Sequence, residues 1–240
     1  MSSTIRLYFS GKIQSDLTSH LTKDQTHYAK DVMRLKTGDR LSVFNTQGEW
    51  NAMIEAYEKN GVRIKILEKV RDKENEKNIW LAFSPIKQNS LNFLIQKGTE
   101  LGIQKFVPIL SERTIVKEIN VERIKKIIVE ASEQSNRISI PEIENLETLK
   151  NFLNKFPKNG YLIFCDINCK KSNLEDILSK KIQGPVCILV GPEGDFSEIE
   201  RQLIIERKGI ISLSLANNIL KAETAAIAAV TIVNYHLNFN

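Results

Sequence analysis

Three cysteines and three histidines are all that 240 residues contain. Cys165, Cys169 and Cys187 form no CxxC pair, and His20, His27 and His236 are scattered. Neither a disulfide framework nor a zinc site is suggested, and no metal is expected. Long apolar runs are missing as well. The longest, Ala225 to Val233, falls far short of the ~20 residues that span a bilayer. No charged, apolar and small-residue order opens the chain as it would in a signal peptide, so we expect a cytoplasmic protein with no membrane partner. Gly-x-Gly-x-x-Gly after a first strand and Gly-x4-Gly-Lys-Ser/Thr are both absent, which removes the usual dinucleotide and P-loop signatures. No internal repeat or low-complexity segment stands out. Excess charge is small too: a net +5 and a pI near 9.0 are compatible with nucleic acid but do not decide it. What is left, 42% hydrophobic and 26% charged residues, describes an ordinary globular chain of one large or two modest domains.

The most informative stretch runs from Pro185 to Asn234 and reads as strand, glycine loop, helix, strand, loop and helix. Val186 to Val190 is a continuous apolar run, as expected of a strand buried on both faces. Ser197 with Glu200 is a capping-box pattern, so a helix should begin just after GPEGDF, with Gly209 ending it. Gly191 and Gly194 around Pro192 and Glu193 permit a sharp turn and a close backbone approach. A tight strand-to-helix turn explains GPEG equally well on its own. The second loop, LANNILKAE, follows the strand IISLSL, so two loops leave the C-terminal ends of two strands. In open α/β sheets ligands bind at that edge.

Residues 1–72 read as a small β-rich module. Ile5 to Phe9, Leu41 to Asn45, Trp50 to Tyr57 and Val62 to Val70 have strand character. Thr22 with Gln25 should cap a helix reaching about Leu35, and Asn60-Gly61 marks a hairpin because both positions tolerate positive φ. Arg34, Lys36 and Arg40 surround a Lys-Thr-Gly-Asp turn and are candidates to track RNA phosphates; a solvated basic turn is the alternative. The charged stretch RDKENEKN, Arg71 to Asn78, is the expected boundary, leaving residues 73–240 as a second domain. There strands and helices alternate. Ile79 to Ser84, Phe106 to Leu110 and Tyr161 to Cys165 read as strands. Leu91 to Leu101, Val121 to Ala131 and Leu146 to Phe156 carry apolar residues at helical spacing, and Ser172 with Glu175 caps a helix to about Lys180. The alternation predicts an α/β fold with a mainly parallel sheet covered by helices.

VGPEGDFS followed by LANNILKAETAAIAA resembles the paired cofactor loops of the SPOUT superfamily of methyltransferases. The resemblance is closest to the RsmE family, which methylates N3 of a uridine in 16S ribosomal RNA of the small subunit. HYAKDVMRLKTGD (27–39), KGTELGIQKFVPILSERT (97–114) and EASEQSNRISIP (130–141) match that family in order, so nearly the whole chain is covered. The resemblance implies a C-terminal trefoil knot, which the alternation itself does not indicate, and a PUA-like β-barrel as an RNA-docking module. It also implies a homodimer with the barrel of one subunit near the active site of the other. S-adenosylmethionine would lie between Gly191 to Gly194 and Leu215 to Ala222, with Cys165 and Asp166 as a third wall. Leu189, Val190, Ile219, Leu220 and Ala225 would complete the site.

Such a cofactor brings an electrophilic methyl group. The protein must hold a nitrogen in line with it, see the N3 proton removed, and stabilise the anion formed. Arg6, Arg113 and Lys221 are the candidate cations; Glu193 and Glu223 are candidates for orienting loops or assisting deprotonation. Simpler readings stand beside these roles: Glu223 favours a helix dipole, Arg113 pairs with Glu112, and the alanines of the last helix are helix-forming core. The chain also departs from the family pattern. Asp195 replaces a glycine after GPEG, Ala216 replaces another, and Asn218 and Lys221 stand where arginines flank Ile-Leu. Alanine is strained if that glycine needs positive φ, and lysine lacks arginine's planar fork. Two other functions fit the same features: a ribose 2'-O-methyltransferase of the superfamily acting on transfer RNA, and a non-catalytic RNA-binding protein.

Overall fold

In the computed structural model, which describes residues 5–169 and 184–239, the chain divides into two units. The first comprises Met1–Asn75 and Ser132–Ile140, the second Glu76–Ala131 and Pro141–Asn240. The helix expected from Ser172 to about Lys180 lies outside the described residues.

The first unit is a five-stranded sheet in the order β1-β3-β4-β5-β2. Its strands are β1 (Arg6–Tyr8), β2 (Thr18–His20), β3 (Arg40–Asn45), β4 (Gly48–Glu58) and β5 (Gly61–Asp72). β1 runs parallel to β3 and every other pairing is antiparallel. Val62, Ile64 and Ile66 alternate with exposed or half-buried neighbours along β5 and are fully buried. Period-two patterning of this kind places one face on a core, here shared with Leu7, Leu41, Val43, Trp50 and Ile54. At the β4–β5 turn only Gly61 is left-handed (φ +127°); Asn60 is not. The expected hairpin therefore uses one positive-φ residue rather than two.

Thr22 and Gln25 form the capping box, but the α-helix they start, α1, covers only Lys23–His27. A π-helical turn, Tyr28–Val32, follows it and ends in Arg34 at φ +56°. Apolar spacing does not distinguish these forms, since the wider turn still buries Ala29 while Met33 N–H reaches Tyr28 O.

The second unit holds seven strands, all paired in parallel, in the order β12-β10-β11-β6-β7-β8 with β9 also on β7. They are β6 (Ile79–Phe83), β7 (Lys105–Leu110), β8 (Glu142–Ile143), β9 (Glu147–Thr148), β10 (Tyr161–Cys165), β11 (Val186–Val190) and β12 (Ile210–Leu213). The parallel sheet agrees with the alternation in sequence. All five residues of β11 are buried, as its unbroken apolar run requires. The helices are α2 (Gln88–Glu100), α3 (Val121–Gln134), α4 (Leu149–Lys155), α5 (Glu198–Ile205) and α6 (Ala222–Phe239). The α5 capping box forms with both hydrogen bonds, Glu200 N–H to Ser197 Oγ and Ser197 N–H to Glu200 Oε2. α5 stops at a C-cap on Glu206, before Gly209, whose φ of +83° turns the chain into β12. Among the described residues no helix is long and apolar enough to cross a membrane.

Because the ladder is parallel, the chain leaves β6, β7, β10, β11 and β12 at one edge of the sheet. The site is built there.

Candidate active site

Three neighbouring strands, β12, β10 and β11, deliver the loops expected to hold a cofactor. After β11 the chain turns at Pro192, whose carbonyl accepts the Asp195 N–H at 2.9 Å. Asp195 adopts φ +59°, and its Oδ1 accepts the Phe196 N–H at 2.8 Å. Aspartate tolerates this region better than most residues because its short side chain bonds the local backbone, so Asp195 does what a glycine would do here. A Cβ on Gly191 would lie 2.9 Å from the ring of Phe196, which is itself buried edge-on against Phe164. At Gly194 an added Cβ would meet only Arg113 side-chain carbons, at 3.7 Å. One glycine is required by packing; at the other a Cβ would make an ordinary contact with Arg113.

Arg113 reaches this loop from the segment after β7. Its Nη1 donates to Gly194 O at 3.0 Å and Phe196 O at 3.4 Å, so it does not serve as a partner for Glu112. The Glu112 N–H instead donates to Glu200 Oε1 at 2.8 Å. Together these bonds tie the β7 and β11 loops. Pro85 to Lys87 after β6, Arg113, Ile115 and Val116 after β7, and Pro192 with Glu193 line a partly open cleft. Arg113 and Glu193, both candidates from the sequence, line the same cleft.

After β12, Ala216 is not in the left-handed region, so alanine in place of the family's glycine is unstrained. Among the described residues the backbone groups of Leu215 to Leu220 make no hydrogen bond to other main-chain groups. Ile219 is 85% exposed beside them. Free donors and acceptors next to an exposed aliphatic side chain suit an adenosyl group, which has apolar faces and polar edges. Lys221 is exposed and Ala225 half-buried. Glu223, in the first turn of α6, accepts from Ser90 Oγ at 3.1 Å; this joins α6 to α2 and sets a carboxylate at a helix N-terminus, where the dipole favours it.

Between these loops, at the end of β10, Asp166 is only 2% exposed. Arg201 grips it, Nη2 to Oδ2 at 2.9 Å and Nε to Oδ1 at 3.4 Å, while the Asn168 N–H donates to Oδ1 at 2.9 Å. The hydrogen bond to Asp166 raises the Arg201 pKa further. The carboxylate therefore shapes its own loop. Burial pushes the Cys165 thiol up to about 12 and raises Cys187 as well; both stay protonated at neutral pH, and neither is a nucleophile. Leu189 and Val190 are buried in β11 beneath the loops.

Arg6 lies in the first unit, and there the proposed chemistry needs correction. Its Nε and Nη2 donate to Glu49, Nη1 donates to the carbonyls of Ser132 and Glu133, and Nη2 also donates to Arg137 O. A guanidinium has five N–H donors and all are committed, so none remains for a substrate oxygen. Arg34, Lys36 and Arg40 are exposed around the turn that follows the π segment. Asp39 Oδ2 accepts the Lys36 N–H at 2.7 Å and fixes that turn. Lys87, which the sequence reading did not single out, lines the same cleft as Arg113, just after Pro85 closes β6. Among the described residues no group of three metal-ligating side chains assembles.

Comparison with known proteins agrees with this geometry. The RNA methyltransferase domain family matches residues 73–234, and the RNA methyltransferase PUA domain matches 21–67. A ribosomal RNA small subunit methyltransferase E from Rickettsia conorii is 35% identical over 231 residues, covering 95% of this chain and 94% of its own. The chain belongs to the ribosomal RNA small subunit methyltransferase E family. The family member of Bacillus subtilis is 27% identical, over 93% of this chain and 92% of its own. In three dimensions the chain is similar to the family member of Neisseria gonorrhoeae bound to S-adenosyl methionine, with a TM-score of 0.85, 29% identity and coverage of 95% and 96%. A Legionella pneumophila methyltransferase in complex with the same cofactor has a TM-score of 0.84 and 30% identity, with 96% of each chain covered. Set against that family, the departures at Asp195 and Ala216 are conformationally silent here. Asn218 and Lys221 still remove two planar cations from the β12 loop.

Proposed function

We propose that this chain transfers a methyl group from S-adenosylmethionine to N3 of one uridine in 16S ribosomal RNA of the small subunit. The observation that carries the reading is the pair of loops at one sheet edge: the glycine loop Gly191 to Gly194 after β11 and, among the described residues, a backbone from Leu215 to Leu220 with no main-chain hydrogen bond after β12. When bound, the cofactor supplies a methyl group on a sulfonium centre. Gly191 to Gly194, Leu215 to Leu220 and the turn at Cys165 and Asp166 hold it, over Leu189, Val190 and Ala225.

The chain's own residues then manage charge. Arg113 is anchored through Nη1, and its other N–H groups are left to meet a uracil oxygen and stabilise the anion that forms when N3 loses its proton. Glu193, exposed at the cleft, accepts that proton directly or through water. Lys221 adds a point charge from the β12 loop. Nucleoside mass spectrometry of small-subunit RNA, after incubation with protein and labelled cofactor, tests the assignment. The expected product is 3-methyluridine. Label on a ribose oxygen, or on transfer RNA, rejects it.

Residues 1–72 serve as a PUA-like barrel that docks RNA, and residues 73–240 as the methyltransferase domain, with the C-terminal segment threaded as the trefoil knot of the SPOUT superfamily. N3 lies on the pairing edge of the base, so the target is unpaired or flipped and register comes from a second contact. Arg34 and Lys36 supply it through phosphates. Charge reversal at both is expected to weaken RNA binding about tenfold or more and to flatten its salt dependence, with cofactor affinity unchanged. Filter binding across a salt series and calorimetry check the two halves. The protein acts in the cytoplasm as a homodimer, assembled through the small-residue helix α6. Sedimentation at micromolar concentration showing monomer alone would count against the dimer.

A further inference from the structure

The strand order puts β11 between β10 and β6, so its GPEG loop has two sides. One side meets the loops after β10 and β12, where the cofactor is placed above. The other borders a partly open cleft formed with the loops after β6 and β7.

The lining matches a base that becomes an anion. Pro85 and Ile86 are buried and apolar, and Ile115 stands 79% exposed at the rim. A single exposed isoleucine means little; beside an apolar floor it completes a slot for a flat ring. Two cations, Lys87 and Arg113, share the cleft with one carboxylate, Glu193.

Lys87 is the residue that local rules do not explain. It occupies the N-cap of α2, makes no side-chain cap bond, and is exposed. Serine, threonine, aspartate or asparagine there would be worth about 1 kcal/mol more, and a cation at a helix N-terminus opposes the dipole. Broken local rules of this kind concentrate at functional positions. We infer that this cleft receives the target uracil and that Lys87 contacts one of its carbonyl oxygens, sharing with Arg113 the stabilisation of the N3 anion. The inference rests on the methyltransferase reading above and adds to it the base subsite and a further catalytic residue.

In the step itself the N3 proton passes to Glu193 or water. The N3 lone pair forms the new N–C bond as the bond from methyl to sulfur breaks, and that electron pair stays on sulfur. Selectivity follows from the same geometry. Uracil offers two carbonyl acceptors around N3, whereas cytosine puts an amino donor in place of one and would set it against a cation.

The test uses the full chain, unmodified small subunits and three variants: Lys87→Met, Lys87→Arg and Ile115→Trp. Both positions are exposed, so the fold should survive. Lys87→Met is expected to slow single-turnover transfer about 100-fold at neutral pH, the order of loss for one oxyanion donor. It should also move the alkaline rise of the rate to higher pH, because N3 is harder to deprotonate with one cation fewer. Lys87→Arg should restore most of the rate, and Ile115→Trp should block transfer by filling the slot. Cofactor affinity should stay within about twofold in all three. Wild-type rate and pH profile in both Lys87→Met and Ile115→Trp would overturn the base subsite alone. A wild-type enzyme that places no methyl on N3 in the same assay would overturn the methyltransferase reading and the subsite with it.

Discussion

Gly194→Val should abolish S-adenosylmethionine binding in a protein that still folds, raising Kd by more than about 100-fold, or about 2.8 kcal/mol. The contrast with Gly191 makes the expectation specific. At Gly194 the backbone is not left-handed, and a Cβ meets only Arg113 Cβ and Cδ at 3.7 Å, an ordinary contact. Valine's two further methyls extend beyond that contact and crowd a loop that a ligand must approach closely. At Gly191 the first added carbon already lies 2.9 and 3.1 Å from the Phe196 ring, which is 4% exposed and packed on Phe164 with centroids 5.6 Å apart. Gly191→Ala is overpacking, with a stability cost of about 1–3 kcal/mol. Calorimetric titration and thermal unfolding separate the two outcomes. A folded Gly194→Val protein with unchanged affinity would remove this loop from the cofactor site.

Sequence reasoning located what local physics determines. β10 was read at its observed bounds, and the buried run of β11 and the Ser197–Glu200 cap are as expected, because strand burial and capping each depend on a few adjacent residues. The two-residue strands β8 and β9 and the three-residue β2 carry too little pattern to be read. They are strands only because β7 and β5 supply partners. Tertiary partners also decided the site details. Arg113 finds Gly194 across 81 positions and Asp166 finds Arg201 across 35, so in sequence Arg113 reads as a candidate cation or half of a local ion pair, and Asp166 as a wall of the cofactor site, without either partner. The glycine departures illustrate a different limit. Asp195 does need the left-handed region and Ala216 does not, a difference of backbone angle that residue type alone does not reveal.

Arg6→Ala should cost the first unit about 3–5 kcal/mol, the range for breaking a buried charge pair, without touching the methyl-transfer step. Arg6 and Glu49 side chains are 11% and 6% exposed, and the guanidinium stacks 4.3 Å over the Phe44 ring. Removing it leaves Glu49 with Arg71 Nη1 at 3.1 Å and deprives the carbonyls of Ser132, Glu133 and Arg137 of its donors. Those carbonyls belong to the segment Ser132–Ile140, which is distant in sequence yet packs with the first unit, so the fork fastens that segment to β1 and β4 beside the bonds from Tyr8 N–H to Glu133 Oε1 and from Arg71 Nη1 to Asn136. Arg6→Lys should recover little, because an ammonium cannot bridge a carboxylate and three carbonyls in one plane. With two units a single unfolding free energy is poorly defined, so hydrogen exchange is the better measurement. Amides around Ser132–Ile140 should exchange about 100-fold faster or more in Arg6→Ala, while the single-turnover rate per folded molecule and the cofactor Kd remain at wild-type values at low temperature. Wild-type protection combined with a lost rate would instead return Arg6 to the chemistry, and would require the bonds to Glu49 and the three carbonyls to open when RNA binds.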